Sequence, residues 1–306
     1  MTKKRGAYII GSILILIIGF YSIPVKKKSF SEYYQGDNGI QELLSNFRER
    51  PLQSLRYQNK AWHYVSLGKG KKTLLFLHGM GGAYDIWFQQ INELKTDFKI
   101  ISLTLPTVHS LEEAANGIIQ VLNEEDIKKV CFIGTSMGGY IGQYFLDKHP
   151  DRLEKIVLGN TFPPNGFFIK QNGGMRKIVP FLPEWLVMDN FRKNASTNVI
   201  PSSENSKLVE AYLLEQYSGL MSKRQFIGRF DIVLEHFEMN NNSNVRYIPK
   251  LIIESDNDPL ITKELRQLLK ENFKEAEVFT FSEKGHFPYL NQPKNYTRVL
   301  FDFLSD

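Results

Sequence analysis

Hydrophobic residues along the chain follow two alternating patterns. Short continuous apolar runs alternate with longer segments in which apolar residues recur every three or four positions. Continuous runs are typical of strands covered on both faces, and the wider spacing is typical of amphipathic helices. The pattern predicts strands at residues 62–67, 73–77, 99–105, 129–134, 155–159, 250–254 and 277–281. It predicts helices at residues 84–94, 111–122, 138–148, 262–271 and 292–304, and therefore an α/β fold with a mostly parallel sheet flanked by helices.

The strand and helix alternation stops between Thr161 and Val245. No strand-like run occurs there, and apolar residues recur at helical spacing between prolines. We therefore expect a helical cap insertion at residues 162–245. The core is expected to comprise residues 51–161 and 246–306, with the cap above the strand ends.

The N-terminus carries a long uncharged stretch. Residues 6–25 hold twenty residues without a charge, enough at about 1.5 Å per residue to cross a hydrocarbon layer of about 30 Å. Residues 1–28 are therefore predicted to be a transmembrane anchor with basic flanks, and residues 29–50 a tether and a short helix. A cleaved signal peptide is the alternative, but the stretch is long and lacks a small-residue cleavage site.

The basic residues on the two sides of this stretch nearly balance. Lys3, Lys4 and Arg5 precede it, and three lysines at residues 26–28 follow it. The working orientation, from the extra charge of the amino terminus, places the folded domain outside the cytoplasm. These six basic residues also account for the formal net charge of +5, so the rest of the chain carries −1 and a nucleic-acid role has no support.

A glycine-flanked serine lies between a predicted strand and a predicted helix. The segment Gly134-Thr135-Ser136-Met137-Gly138 matches the G-x-S-x-G turn that exposes a nucleophilic serine. Gly134 and Gly138 allow strand and helix to approach closely. Ser136 is the predicted nucleophile; the alternative is a serine that only caps the helix.

A serine nucleophile also needs donors for the oxyanion that forms on its substrate. The segment His78-Gly79-Met80-Gly81-Gly82 follows the strand at 73–77, where such a loop is expected. The backbone N–H groups of Met80 and Met137 are the predicted oxyanion hole. His78 and Gly79 are interpreted as supporting the loop, and an ordinary turn is the alternative.

The proton acceptor and its carboxylate partner are expected near the C-terminus. His286 lies in a loop after the last predicted strand, and histidine exchanges protons near neutral pH. Asp258, which leads into the next helix, is the predicted acid that orients His286. Asp256 remains the alternative. The chain order Ser, Asp, His is the order found in α/β-hydrolases.

The motifs HGMGG, GTSMGG, SDNDPLIT and KGHFPYL together resemble the α/β-hydrolase superfamily over residues 60–306. Within it, LLFLHGMGGAYDIWFQQI, KIVLGNTF and GHFPYLNQP resemble the maspardin branch and its microbial relatives. The resemblance implies an eight-stranded sheet, a helical cap and activity on esters or related acyl bonds. Eukaryotic maspardins keep the serine but lack the His-Gly loop and the late histidine, and act as binding proteins. Retention of His78, Gly79 and His286 here favours an active enzyme.

These observations predict a membrane-anchored serine hydrolase that forms an acyl-enzyme and needs no metal or cofactor. Carboxylic esters are the expected substrates, either small molecules or lipid-like. The aromatic residues of the cap favour a lipophilic ester, although they could equally pack the cap onto the core: Phe162, Phe167, Phe168, Phe181, Trp185 and Phe191. The alternatives are a non-catalytic binding or scaffold protein, a thioester or carbon–carbon bond hydrolase, and an acyltransferase. The oligomeric state stays open.

Overall fold

The computed structural model describes residues 2–164, 166–239 and 243–305. Within this part of the chain, eight strands form one sheet in the order β1-β2-β4-β3-β5-β6-β7-β8. The strands are β1 (Gln53–Tyr57), β2 (Lys60–Leu67), β3 (Thr73–Leu77), β4 (Lys99–Thr104), β5 (Val130–Thr135), β6 (Leu153–Gly159), β7 (Lys250–Ser255) and β8 (Glu277–Phe281). Strand β2 pairs antiparallel with β1 and β4, and all the other pairs are parallel. The predicted mostly parallel sheet is confirmed.

The described part of the chain contains fifteen α-helices, some of which cover the two faces of the sheet. They are α1 (Thr2–Tyr21), α2 (Phe30–Tyr33), α3 (Asn38–Arg48), α4 (Phe88–Leu94), α5 (Leu111–Glu124), α6 (Met137–Lys148), α7 (Phe167–Ile178), α8 (Glu184–Asn194), α9 (Ile200–Ser202), α10 (Lys207–Glu215), α11 (Lys223–Leu234), α12 (Ser243–Tyr247), α13 (Lys263–Asn272), α14 (Pro288–Asn291) and α15 (Pro293–Ser305). Short 3₁₀ turns occur at Tyr84–Trp87, Pro150–Arg152 and Val179–Phe181, and π-helical turns at Ala195–Val199 and Gln216–Leu220.

The central strands are apolar on both faces because both faces are covered. In β3, Leu75 and Leu77 belong to one hydrophobic cluster, and Leu74 and Phe76 belong to the cluster on the opposite side of the sheet. This alternation follows from the two-residue period of a strand. Cys131 in β5 is fully buried.

Strand β1 is absent from the sequence prediction. It is an edge strand in which only Leu55 and Tyr57 are half-buried, so it shows no apolar run. The turn that joins it to β2 contains Gln58 and Asn59, with φ of 48° and 58°. Asparagine tolerates this left-handed region better than most residues, so Asn59 was the available signal for a hairpin.

The prediction of a transmembrane helix is not supported. No helix in the described ranges is long and apolar enough to cross a membrane. Helix α1 ends at Tyr21, because Pro24 cannot continue a helix and disfavours helical backbone at Ile23.

The end of α1 contacts the helices between β6 and β7, which we call the cap (α7 to α12). The Phe20 ring packs edge-on against Trp185 with ring centroids 5.3 Å apart. The Trp185 indole N–H donates to the Phe20 carbonyl at 3.0 Å, and the Tyr21 hydroxyl donates to the Phe181 carbonyl. The N-terminal helix is therefore attached to the cap.

Candidate active site

Ser136 occupies a strained turn between β5 and α6. Its backbone has φ 53° and ψ −121°, a region that costs a residue with a side chain about 1–3 kcal/mol. Two hydrogen bonds hold the turn. The Ser136 N–H donates to the Gly159 carbonyl at 2.8 Å, and the Thr161 hydroxyl donates to the Ser136 carbonyl at 2.6 Å. The surrounding backbone therefore fixes the direction of the serine.

The glycines around Ser136 lie where no side chain fits. A Cβ on Gly134 would lie 2.4 Å from the Gly138 carbonyl oxygen, and a Cβ on Gly138 would lie 2.4 Å from the Leu77 carbonyl oxygen. A Cβ on Gly79 would lie 3.0 Å from the Ser136 Cβ. The structure thus brings the loop after β3 directly beside Ser136.

His286 and Asp258 form a buried pair. The His286 Nδ1 lies 2.8 Å from Oδ2 and 3.0 Å from Oδ1 of Asp258. Asp256, the alternative acid, is exposed and accepts hydrogen bonds from the backbone N–H of Glu283 and the hydroxyl of Ser282. Asp258 therefore contacts His286, and Asp256 instead shapes a surface turn.

Asp258 is held as a carboxylate. Burial alone would raise the pKa of Asp258. The nearby His286 and the hydrogen bonds that the carboxylate accepts outweigh burial and lower the pKa below its ordinary value. Its Oδ2 accepts from the Asn160 amide at 2.9 Å, and its Oδ1 accepts from the N–H groups of Leu260 and Ile261 at 2.9 and 3.1 Å. The negative charge opposite His286 is thus stabilised from several directions.

His78 supports the loop after β3 from the core side. Its side chain is fully buried, and its Nε2 accepts from the Leu105 N–H at 3.0 Å. The proton of the ring is then on Nδ1, which donates to the Gly79 carbonyl at 2.6 Å. Burial, and to a lesser extent the nearby Arg229, lower the pKa of His78 well below its ordinary value. The neutral imidazole therefore holds the loop in place through its two hydrogen bonds.

Ser136 and His286 line the same cavity, which has a volume of about 500 Å³. Gly79 and Met80 line it as well, and Met137 directly follows Ser136 at the start of α6. The rest of the lining is largely apolar and comes from the cap and the core. Among the described residues, the lining contains no aspartate, glutamate, lysine or arginine. Besides His286, its polar side chains are Ser136, Asn172, Asn190, Asn194, Tyr217 and Tyr289.

Three of the six cap aromatics singled out in the sequence line this cavity: Phe162, Phe168 and Phe191. The other three do not. Phe167 and Phe181 are exposed, and Trp185 packs against α1. The spacing of apolar residues predicted a helical segment, but it could not show which of these side chains face Ser136.

Three residues near the site were missed by the sequence analysis: Asn160, Thr161 and Arg229. Asn160 follows β6 with φ 40°, and an asparagine directly after a strand glycine was the available signal. Arg229 is 2% exposed and donates through Nη1 to the carbonyl oxygens of Met80 and Gly82. A single arginine in the apolar stretch of α11 gave no indication of this contact.

Residues that could bind a metal ion are not clustered in this part of the molecule. Within residues 2–164, 166–239 and 243–305, no group of three or more His, Cys, Asp or Glu side chains is placed to hold one. His286 and Asp258 are close to each other, and Asp258 is already surrounded by hydrogen-bond donors.

Two characterised relatives match most of the chain. A 2-hydroxy-6-oxononadienedioate/2-hydroxy-6-oxononatrienedioate hydrolase of Paraburkholderia xenovorans is 25% identical over 264 residues, which cover 79% of this chain and 90% of that protein. A pimeloyl-[acyl-carrier protein] methyl ester esterase of Hamiltonella defensa is 20% identical over 257 residues, which cover 80% of this chain and 97% of that protein. Both are hydrolases by name.

A solved structure matches the chain over nearly its whole length. It is a membrane phospholipase A described as a bacterial virulence factor, with a TM-score of 0.66, 17% identity and coverage of 98% of both chains. At this identity the likeness concerns the fold. The sequence model for the alpha/beta hydrolase fold matches residues 72–293, which include Ser136, Asp258 and His286. The sheet, the serine turn and this match lead to one conclusion: the chain belongs to the α/β-hydrolase family.

Proposed function

We propose that the protein is a serine hydrolase that cleaves uncharged, lipophilic carboxylic esters through an acyl-enzyme. One observation carries this proposal: Ser136 and His286, with Asp258 behind the histidine, open onto one apolar cavity. Nucleophile, base and orienting acid are the three parts that activation of a serine requires.

In the first half-reaction, His286 Nε2 accepts the proton of Ser136 as the serine Oγ bonds to the ester carbonyl carbon. The carbonyl π electrons move to oxygen, and the N–H groups of Met80 and Met137 stabilise the resulting oxyanion. When the intermediate collapses, the bond to the leaving oxygen breaks and His286 gives that oxygen its proton. The alcohol departs and the acyl group stays on Ser136.

In the second half-reaction, water takes the place of the alcohol. His286 accepts a proton from the water as its oxygen bonds to the acyl carbon. Collapse of the second intermediate breaks the bond to Ser136 Oγ, which regains its proton from His286, and the acid leaves. Asp258 fixes the ring of His286 and stabilises the imidazolium at both stages.

The absence of a cationic side chain from the described cavity lining favours neutral esters over dicarboxylates. The Paraburkholderia relative is named for a substrate with two carboxylates, and desolvating a carboxylate is costly without a cationic partner. Neither lysine nor arginine lines the described part of the cavity here. The Hamiltonella relative is named for a methyl ester, which is closer to the chemistry that this cavity can accept.

Covalent labelling tests the nucleophile. We expect a fluorophosphonate to label the wild-type chain, and Ser136→Ala to abolish labelling because the attacked oxygen is gone. His286→Ala should slow labelling by at least about 10²-fold, since general-base activation is lost. Ser31→Ala, which removes an exposed hydroxyl on α2, is the control and should label normally.

The outcome also separates an enzyme from a binding protein. A folded wild-type chain that is not labelled would refute the proposed hydrolase and favour the non-catalytic alternative. Labelling confined to another serine would leave the enzyme class but refute the role of Ser136, and mass spectrometry of the labelled peptide identifies that serine.

Two isosteric substitutions identify the orienting acid. Asp258→Asn should lower kcat by about 10⁴-fold, because an amide stabilises the wrong tautomer of His286 and no longer stabilises its charged form. Asp256→Asn changes the same atoms in an exposed turn and should alter kcat by no more than about two-fold. Steady-state rates on one ester decide between them, and the reverse ranking would assign the acid to Asp256.

A series of 4-nitrophenyl esters tests the substrate class. Each methylene that enters an apolar cavity contributes up to about 0.8 kcal/mol, so kcat/KM should rise by up to about four-fold per carbon from acetate until the cavity is filled. An ester of equal length that ends in a carboxylate should be at least about ten-fold poorer, since its charge finds no cation. Equal rates along the series would refute a lipophilic substrate.

We also propose that the exposed face of α1 and the cap associates with a lipid surface. Side chains of α1 from Tyr8 to Phe20 are largely exposed and apolar, and they continue into exposed Met175, Ile178 and Phe181 on the cap. An apolar patch of this kind marks an interaction surface. Exposed Lys26 and Lys27 beside it suit anionic headgroups.

Vesicle flotation tests this association. The wild-type chain should float with vesicles of phosphatidylglycerol and phosphatidylcholine, whereas the double variant Ile13→Asp/Leu16→Asp should remain in the dense fraction. Phe301→Asp, a substitution at an equally apolar exposed position on α15, is the control and should float. A wild-type chain that stays in the dense fraction would refute the lipid surface.

A further inference from the structure

Arg229 is a buried cation without an acidic partner among the described residues. Only 2% of it is exposed, and the polar side chains that act on its charge are the phenols of Tyr212 and Tyr217. Its Nε has no hydrogen-bond partner among the described residues. Burial lowers the pKa of Arg229 to about 10, so it stays charged at neutral pH. Burying a cation without an acidic partner costs free energy, so the contacts of Arg229 indicate a function.

Arg229 donates to the Met221 thioether at 3.4 Å and to two peptide carbonyls in the loop beside Ser136. The Arg229 Nη1 donates to the Met80 carbonyl and, at 3.0 Å, to the Gly82 carbonyl. The loop therefore has two supports, Arg229 on cap helix α11 and His78 from the core, which holds the Gly79 carbonyl. The Gly82 N–H closes the turn onto that same Gly79 carbonyl at 3.1 Å.

Holding a carbonyl also orients an N–H group. In a planar trans peptide the N–H points opposite to the carbonyl of the preceding residue. The bond from His78 to the Gly79 carbonyl therefore orients the Met80 N–H. The bond from Arg229 to the Met80 carbonyl orients the Gly81 N–H, and both residues line the cavity. A cation on the carbonyl side also polarises the peptide and strengthens its N–H as a donor.

We infer that Arg229 is a positioning residue for the oxyanion loop, supplied by the cap. By binding the Met80 and Gly82 carbonyls, it fixes and polarises the Met80–Gly81 peptide and holds the loop in place. In that position the Met80 N–H, oriented through His78, faces the oxyanion formed at Ser136. This inference rests on the proposed ester hydrolysis. Because the oxyanion exists only after attack, the effect of Arg229 should appear in the transition state rather than in substrate binding.

The test compares Arg229→Met, Arg229→Lys and Arg176→Met with the wild-type chain. Arg176→Met is the control. Arg176 binds Asp231, which lies two residues after Arg229 on the same helix, so the loss of Arg176 disturbs the cap without touching the loop. For each folded variant we would measure kcat and KM on the best ester. We would also measure the inhibition constant of a matching trifluoromethyl ketone, which adds to the serine as an oxyanion.

Arg229→Met should lower kcat by roughly 10- to 100-fold, less than the 10²–10³-fold cost of losing a donor outright. KM should stay within about two-fold, and the ketone should bind more weakly by the same factor as the fall in kcat/KM. Arg229→Lys should fall between Arg229→Met and wild type, and Arg176→Met should match wild type. Unchanged kcat and ketone binding in folded Arg229→Met would overturn the inference, as would a change confined to KM.

Hydrogen exchange separates this inference from the proposed function. Backbone amides at residues 79–83 should exchange faster in Arg229→Met than in wild type and Arg176→Met, whether or not the chain hydrolyses esters. Unchanged exchange in Arg229→Met would overturn the role of Arg229 in holding the loop. If the wild-type chain is not labelled but the loop exchanges faster in Arg229→Met, the ester hydrolase is refuted, whereas the role of Arg229 in holding the loop stands.

Discussion

The close approach of three backbone segments at Ser136 is the constraint on which the site depends. Strand β5, helix α6 and the loop after β3 meet where Gly134, Gly138 and Gly79 carry no side chain, and a Cβ at Gly134 or Gly138 would overlap a carbonyl oxygen. The approach forces Ser136 into a left-handed backbone conformation that it would not adopt alone. Because the parallel sheet holds β3 and β5 side by side, it maintains this strain and fixes the direction of the serine.

The same approach explains why the site has parts from distant segments. The loops after β3, β7 and β8 all emerge at the carboxyl ends of parallel strands, where ligands bind in open α/β sheets. His286 reaches Asp258 there, and Asn160 after β6 bonds to the same carboxylate. The sheet supplies position, and each loop supplies one chemical group.

Features that depend on residues close together in the chain could be predicted from the sequence, and features that depend on distant residues could not. The buried strands, the glycine turn of Ser136 and the order of the site motifs are local patterns, and the family and the mostly parallel sheet were predicted correctly from them. The edge strand β1 carries little buried surface and left almost no pattern. The predicted anchor rested on the length of an uncharged stretch at residues 6–25, and α1 ends within that stretch at Tyr21, ahead of Pro24.

Contacts between distant segments left no local pattern. Arg229 lies 149 residues from Met80 in the chain. No local pattern distinguishes the aromatics that line the cavity from those that do not. The sequence favoured Asp258 over Asp256 only because Asp258 leads into the next helix, and the contact with His286 is visible only in the fold. Sequence reasoning could name the candidates, but the choice between them depends on tertiary geometry.

The distribution of charge ties the cap to the proposed chemistry. Around Ser136 the cavity wall is largely apolar, and two buried charged groups act there: Asp258 against His286, and Arg229 against peptide carbonyls. In such a medium each fixed charge or dipole acts more strongly than in water. Asp258 faces the site of positive charge on His286, and Arg229 lies behind peptides expected to face negative charge at the substrate oxygen. The two opposite charges are thus placed for the charge separation of a serine attack, and the cap, which supplies Arg229, belongs to the electrostatics of the site as well as to its walls.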